Sequence, residues 1–391
     1  MRPHAPTSAG CARTPSRLRL ARSIALAGAI PWVSAGCAPR PTREIPPWLS
    51  AQVQVEQNEE TGAPRLQVNM QMRGSAPDGL FTVPFEVRDG KLILEEVYIS
   101  DASAARTRRR ASPVLDTGNQ DAVWLSRSGS AQHRPWLSAE VGPTRSIGAL
   151  GHHASYDGAL GGIHLPGMTL EPVPVSVSSG NSPAMVGMGL LSLFEGIIID
   201  WDRGQLHLVA RRSLYSPSAA PSRARLDALQ GRAEWSVAPL EVNFQAESSE
   251  SLRQVIISTS SVLPRTTIRV GDTSCMALID TGFSGDVLVA EGVDWPLGEG
   301  RPGVMADISG RRARLTEHQL LTPLLIGACR FREVKVVGGW DRPPGFAPEF
   351  DAVIGIGLLR RAPVWLDWHG GTLRLWTGRG AFPDLHANSS P

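Results

Sequence analysis

Short apolar runs bounded by glycine, proline and polar residues recur through most of this chain. Pro113-Val114-Leu115, the run Ala122 to Leu125, Ala277-Leu278-Ile279 and the run Val287 to Ala290 have the length and boundaries of buried strands. Gly204-Gln205-Leu206-His207-Leu208 and Gly371-Thr372-Leu373-Arg374-Leu375 each read as a glycine turn followed by an alternating strand. Composition points the same way: 42% hydrophobic residues with 40 Gly and 31 Pro suits short strands and many turns better than long helices. An all-β protein is expected, and 391 residues suffice for two domains that each bury a core.

The pattern is used twice. Val186-Gly187-Met188-Gly189-Leu190-Leu191 matches Ile354-Gly355-Ile356-Gly357-Leu358-Leu359, and Asp200-Trp201 and Asp367-Trp368 follow at nearly equal distances. Upstream, Asp116-Thr117-Gly118 precedes Gly187 by 71 residues counted from Asp116, and Asp280-Thr281-Gly282 precedes Gly355 by 75 counted from Asp280. The chain is a tandem duplication, each copy running strand, Asp-Thr-Gly turn, strand, hairpins, glycine-containing segment and closing strand. Mobile hairpins are expected over Gly142 to Gly162 and over Gly303 to Arg314, the latter with Gly310 at its tip, and further strand-turn-strand units break at Pro166-Gly167 and Gly327-Ala328.

These features divide the chain into a signal peptide over 1–36, a tether over 37–47, an N-terminal lobe over 48–212, a linker over 213–232, a C-terminal lobe over 233–380 and a tail over 381–391 that is expected to fray after Phe382. A short helix near Ala224 to Leu229 is expected within the linker. Residues 48–64 are assigned to the first lobe, a short pro-segment being the alternative.

The formal charge of +2 belongs to the leader, whose five Arg and no acidic residue leave −3 for the rest, so nucleic acid is not an expected partner. An Arg-rich start, an apolar stretch from Ile24 to Val33 and the small residues Ser34, Ala35 and Gly36 read as an export signal. Ser34-Ala35-Gly36-Cys37 resembles the lipobox of bacterial lipoproteins, which implies lipid attachment at Cys37 and a membrane-anchored place in the cell envelope; a plain cleaved signal, giving a periplasmic or secreted protein, is the alternative. Cys275 and Cys329 then remain as one possible disulfide or two separate thiols.

Two carboxylates within hydrogen-bond reach cannot both ionise easily, so a pair holds one proton between them. The charged member can take a proton from water while the neutral one donates to a substrate carbonyl. Glycine lets two such turns approach, and a buried threonine hydroxyl can bond backbone across the interface. With the segments Met185-Val186-Gly187 and Val353-Ile354-Gly355, the two triplets resemble aspartic proteases of the retropepsin and pepsin type over about residues 65 to 377.

That resemblance implies two β-barrel lobes with the active-site cleft between them, in one monomeric chain. It implies Asp116 and Asp280 as the catalytic pair, Thr117, Gly118, Thr281 and Gly282 as support for the turns, and an extended peptide or unfolded protein as substrate. The activity implied is an aspartic-type endopeptidase without cofactor or metal.

Where that family has a small residue after the triplet, this chain has Asn119 and Phe283. Asn119 is expected to be able to donate to a carboxylate, whereas Phe283 is expected to add bulk beside the pair. These departures motivate the alternative of an inactive, envelope-anchored module that binds peptides or proteins. Gly282 to Asp286 lacks the spacing of a serine-hydrolase elbow, the Gly-x-Gly pairs lack a third glycine for a dinucleotide, and His152-His153 stands without further metal ligands. Asp200 and Asp367 before glycine turns read as structural caps, and Trp201, Trp368 and Trp376 as packing residues.

Overall fold

The computed structural model describes residues 44–57, 64–74, 76, 79–103, 107–139, 141, 143–148, 151–180, 182–211, 220–242, 263–306, 312–343 and 350–385. The export signal, Cys37 and Gly310 lie outside the described residues. The chain is all-β and bilobal, and the strand order runs as an open path in each sheet.

Each copy centres on three short strands. Val114–Asp116 lies parallel to Met185–Gly187, which runs antiparallel to Val123–Leu125, with Asp116 opposite Gly187. Thr273–Ile279 likewise lies parallel to Ala352–Ile354, which runs antiparallel to Val287–Ala290. Every residue of these strands but the carboxylate-bearing end and the start of Thr273–Ile279 is buried, which explains why they read as continuous apolar runs.

The strand after each triplet carries the same extension. Val123–Leu125 pairs parallel with Val173–Ser178, which joins the hairpin of Pro143–Gly148 and Gly151–Leu160. Val287–Ala290 pairs parallel with Lys335–Trp340, which joins the hairpin of Arg301–Ala306 and Arg312–Gln319.

The copies meet through their closing strands. Gly196–Asp200 pairs antiparallel with Val364–Asp367, inside a six-strand run ordered Leu80–Arg88, Gln205–Val209, Gly196–Asp200, Val364–Asp367, Thr372–Trp376, Trp235–Pro239. Three strands come from each copy. Alternation splits its faces: Ile197, Ile199, Leu366 and Leu373 enter the main core, while Ile198, Trp365 and Trp376 form a second one.

That second core accounts for the connecting helix and for the path of the chain beyond Thr377. The helix in the connecting segment runs Ala220–Gln230, longer than expected, because Leu226 and Leu229, three residues apart, both bury against Trp235 and its neighbours. Beyond Thr377 the chain is still packed on this core: Phe382 is buried among Trp235 and Trp376, and its carbonyl accepts a hydrogen bond from Arg203 at 2.9 Å. Residues 386–391 lie outside the described residues.

Strand register also settles the thiols. Cys275 pairs with Ile268, whose strand continues onto Leu324–Ile326, and Ile326 pairs with Cys329. The two cysteines therefore stand three strand spacings apart, about 14 Å, beyond the roughly 7 Å that a disulfide can bridge. Both are free, and burial pushes the Cys275 thiol up to about 12.

Candidate active site

Both triplets sit in the turns that follow the first strand of each three-strand unit, and the structure brings the two turns face to face. Thr117 Oγ1 donates to the carbonyl of Ile279 at 2.7 Å, and Thr281 Oγ1 donates to the carbonyl of Leu115 at 2.8 Å. Each hydroxyl also accepts: the Thr117 amide donates to Thr281 Oγ1 at 3.0 Å and the Thr281 amide to Thr117 Oγ1 at 3.1 Å. Both threonines are fully buried. Four reciprocal hydrogen bonds thus tie the copies together directly beneath the carboxylates, where any unmet backbone group would be costly.

Gly118 and Gly282 govern how closely the carboxylates approach. A Cβ on Gly118 would fall 2.5 Å from Cγ of Asp280, and a Cβ on Gly282 would fall 2.5 Å from Cγ of Asp116. Each glycine therefore occupies the space against the other copy's carboxylate, and any side chain there would have to displace that carboxylate. The carboxyl groups of Asp116 and Asp280 thus lie side by side, close enough for each to act on the other's ionisation.

Their electrostatics follow. Asp116 and Asp280 are half-buried residues, and the surrounding turns remove enough water from their carboxylates to raise both from the usual range. Asp116 is held well above that range, first by lost hydration and then by the charge of Asp280. Asp280 is also raised by lost hydration, while the adjacent Asp116 carboxyl and backbone donors of Gly282, Phe283 and Gly118 act in the opposite sense.

The residue after the first triplet behaves differently from expectation. Asn119 does not reach a carboxylate: its Oδ1 accepts from the Asp121 amide at 2.9 Å, and its Nδ2 is buried without a partner among the described residues. Asparagine commonly caps the amide two residues on, and that local bond wins over the more distant carboxylate. Phe283 packs its ring within its own copy. Its ring packs where Cβ atoms on Gly285 and Gly355 would stand, each within 2.5 Å of a ring carbon, and joins an apolar cluster with Leu278, Leu288 and Val353.

One group beside the first turn was missed from sequence. Ser176 Oγ lies 2.8 Å from Asp121 Oδ1 and 3.1 Å from Asp157 Oδ1, so two further carboxylates converge on one hydroxyl. Asp157 belongs to the hairpin strand Gly151–Leu160 and sits opposite Ser176 in register, which links the hairpin to the turn. Asp121 is pushed up to about 7, chiefly by burial, with Asp157 adding to the rise and Ser176 opposing it. The signal available was an acid five residues beyond Asp116. In the second copy Asp286 instead meets Arg361 and the Lys335 amide.

The glycine segments pack against the triplet turns. Met188 donates its amide to the Asn119 carbonyl at 2.7 Å, and Ile356 donates to the Phe283 carbonyl at 2.8 Å. Asp200 and Asp367 accept from the amides of Arg203 and Gly370. Trp368 donates to the Phe194 carbonyl, and Trp376 packs with Trp235. Among the described residues, no three His, Cys, Asp or Glu stand together as a metal site.

No protein-family model matches this chain, and no curated protein matches it in sequence. In three dimensions it is similar to basic 7S globulin from soybean, at 10% identity and a TM-score of 0.41 over 81% of this chain and 98% of that one. It is similar to conglutin gamma from lupine seeds, at 11% identity and a TM-score of 0.42 over 78% and 96%. It is also similar to an aspartic proteinase from Irpex lacteus, at 13% identity and a TM-score of 0.40 over 76% and 97%.

Proposed function

We propose that this chain is an aspartic-type endopeptidase whose single site is assembled from both copies. The observation that carries this reading is the mutual placement of Gly118 against Asp280 and Gly282 against Asp116, which sets the two carboxyl groups side by side. Such a pair holds one proton at working pH. The ionised carboxyl removes a proton from a water molecule as that water attacks the peptide carbonyl carbon, while the protonated carboxyl donates to the carbonyl oxygen. The resulting diol-like intermediate collapses when the now protonated carboxyl gives its proton to the amide nitrogen while the other, now ionised, takes a proton from one diol hydroxyl, so that the C–N bond breaks, a carboxyl product forms and the pair again holds one proton.

The two hairpins, one joined through a parallel strand to each triplet strand, are proposed to close over the bound segment. An extended or unfolded polypeptide is the substrate class, since a cleft between two lobes reads backbone in extended form. Export and lipid attachment at Cys37 belong to the same proposal and place the enzyme at the envelope; labelled palmitate should enter the wild-type chain and not C37S.

The test is incubation of the purified chain with a reduced, alkylated protein from about pH 3 to about pH 8. New peptide ends that appear with the wild-type chain and not with D116N/D280N support the reading. Binding of the same substrate with no cleavage at any pH would replace it with that of a non-cutting peptide-binding module.

A further inference from the structure

The two halves of the site differ most at the residue after the triplet. On the first side the Asn119 amide donates only to the main-chain carbonyl of Asp116, at 3.2 Å, and its side chain turns away to Asp121. On the second side the Phe283 amide is shared between the main-chain carbonyl of Asp280, at 3.3 Å, and Asp280 Oδ1, at 3.2 Å, the latter adding to the Gly282 amide at 2.7 Å on the same oxygen. Asp116 receives the Gly118 amide at 3.0 Å, and that amide also acts on Asp280. Two backbone donors therefore hydrogen-bond Asp280 and one hydrogen-bonds Asp116.

What holds the Phe283 amide in place is its ring. It occupies the space above Gly285 and Gly355, whose missing side chains leave a flat seat for an aromatic plane, and it packs with Leu278, Leu288 and Val353. The Phe283 carbonyl is fixed as well, accepting from Ile356 at 2.8 Å. A residue anchored by ring and carbonyl on both sides of its own peptide presents that N–H in one direction only.

We infer that Phe283 is a positioning residue that makes the pair asymmetric, so that Asp280 is the ionised carboxyl of the resting site and Asp116 carries the shared proton. Backbone N–H donors favour the charged form of a carboxylate, and the side with more of them keeps the charge. Among the described residues, the charged groups named as acting on the pair are the two carboxyls themselves and Lys91, which favours ionisation of Asp116 but ranks behind lost hydration and Asp280 among the influences on it. Asp280 is then the base that takes the water proton, and Asp116 the acid that donates to the carbonyl. This assignment rests on the proposed peptidase reading for its mechanistic meaning, but the charge order itself can be measured whether or not the chain cuts.

The experiment is carbon-13 NMR of the full chain labelled at aspartate carboxyl carbons, with the two resonances assigned through D116N and D280N. In the wild-type chain the Asp280 carbon should move to its ionised position at lower pH than the Asp116 carbon. In F283A the Asp280 midpoint should rise by about one pH unit, narrowing the gap. F283Y, which keeps the ring, should restore the wild-type order. F283L, which keeps apolar bulk without the plane, serves as the loosened variant if F283A does not fold. The proposal is overturned if Asp116 ionises first in the wild-type chain, or if the loosened variant titrates as the wild type does. Cleavage assays on the same samples separate this result from the peptidase reading: correct charge order without cleavage removes the enzyme and leaves the asymmetry.

Discussion

Gly118 lies against the carboxylate of Asp280 so closely that a single methyl group between them would stand 2.5 Å from Cγ. Gly282 and Asp116 repeat the relationship from the other side, at the same distance. The glycines therefore set the separation of the two carboxyls.

It follows that G118A and G282A should fold and still lose activity. The added methyl can be accommodated only if one carboxyl swings away, which ends the proton sharing. A displacement of this kind costs about 100-fold or more in turnover. The rate of peptide cleavage, with circular dichroism to confirm folding, checks this; retention of wild-type turnover would mean that the carboxyls do not act as a contact pair.

Thr117 and Thr281 act on stability before they act on rate. Replacing either by Ala removes a donor and an acceptor from a fully buried site and strands one carbonyl and one amide. The expected loss is on the order of 2–4 kcal/mol, read from denaturant unfolding. T117S keeps the hydroxyl and should retain most of that stability, whereas T117V keeps the shape and should behave like T117A.

Asp121 gives a pH dependence of stability with a definite sign. Its ordinary value is 3.8 and the fold raises it to about 7, so as pH rises between these values the unfolded chain releases the proton first. The contribution is complete below 3.8 and is lost as pH climbs through about 7. D121N cannot ionise. Its melting temperature relative to wild type should therefore increase from acid to neutral pH, ending higher by about 2–4 °C. Thermal melts of both proteins at matched pH check this, since any titration common to both, such as that of His164, cancels in the difference.

The paired triplets and the glycine segments were legible in the sequence because duplication wrote the same short pattern twice at nearly equal spacing. The strands around them were legible because, buried on both faces, they are apolar without interruption. Asn119 was misread although its bond to the Asp121 amide is local, since a carboxylate partner was weighed ahead of the turn two residues on. Phe283 could not have been read: the seat for its ring includes Gly355, far downstream and adjacent only through the pairing of Ala352–Ile354 with its neighbours. Leu226 and Leu229 sat in a segment rich in Pro, Ser and Arg, and only the aromatic face formed by Trp235, Trp365 and Trp376 shows what they bury against. The convergence of Asp121 and Asp157 on Ser176 depends in the same way on strand register.

The central claim is that the two triplets form one site and not two. The most direct measurement is the cleavage rate of a single unfolded substrate by D116N, D280N and the double variant, under conditions where all three are folded. One shared site predicts that each single substitution lowers the rate by about 1,000-fold or more and that the double variant is no worse than either. Single variants that each keep a large fraction of the wild-type rate, with only the double variant inactive, would contradict it.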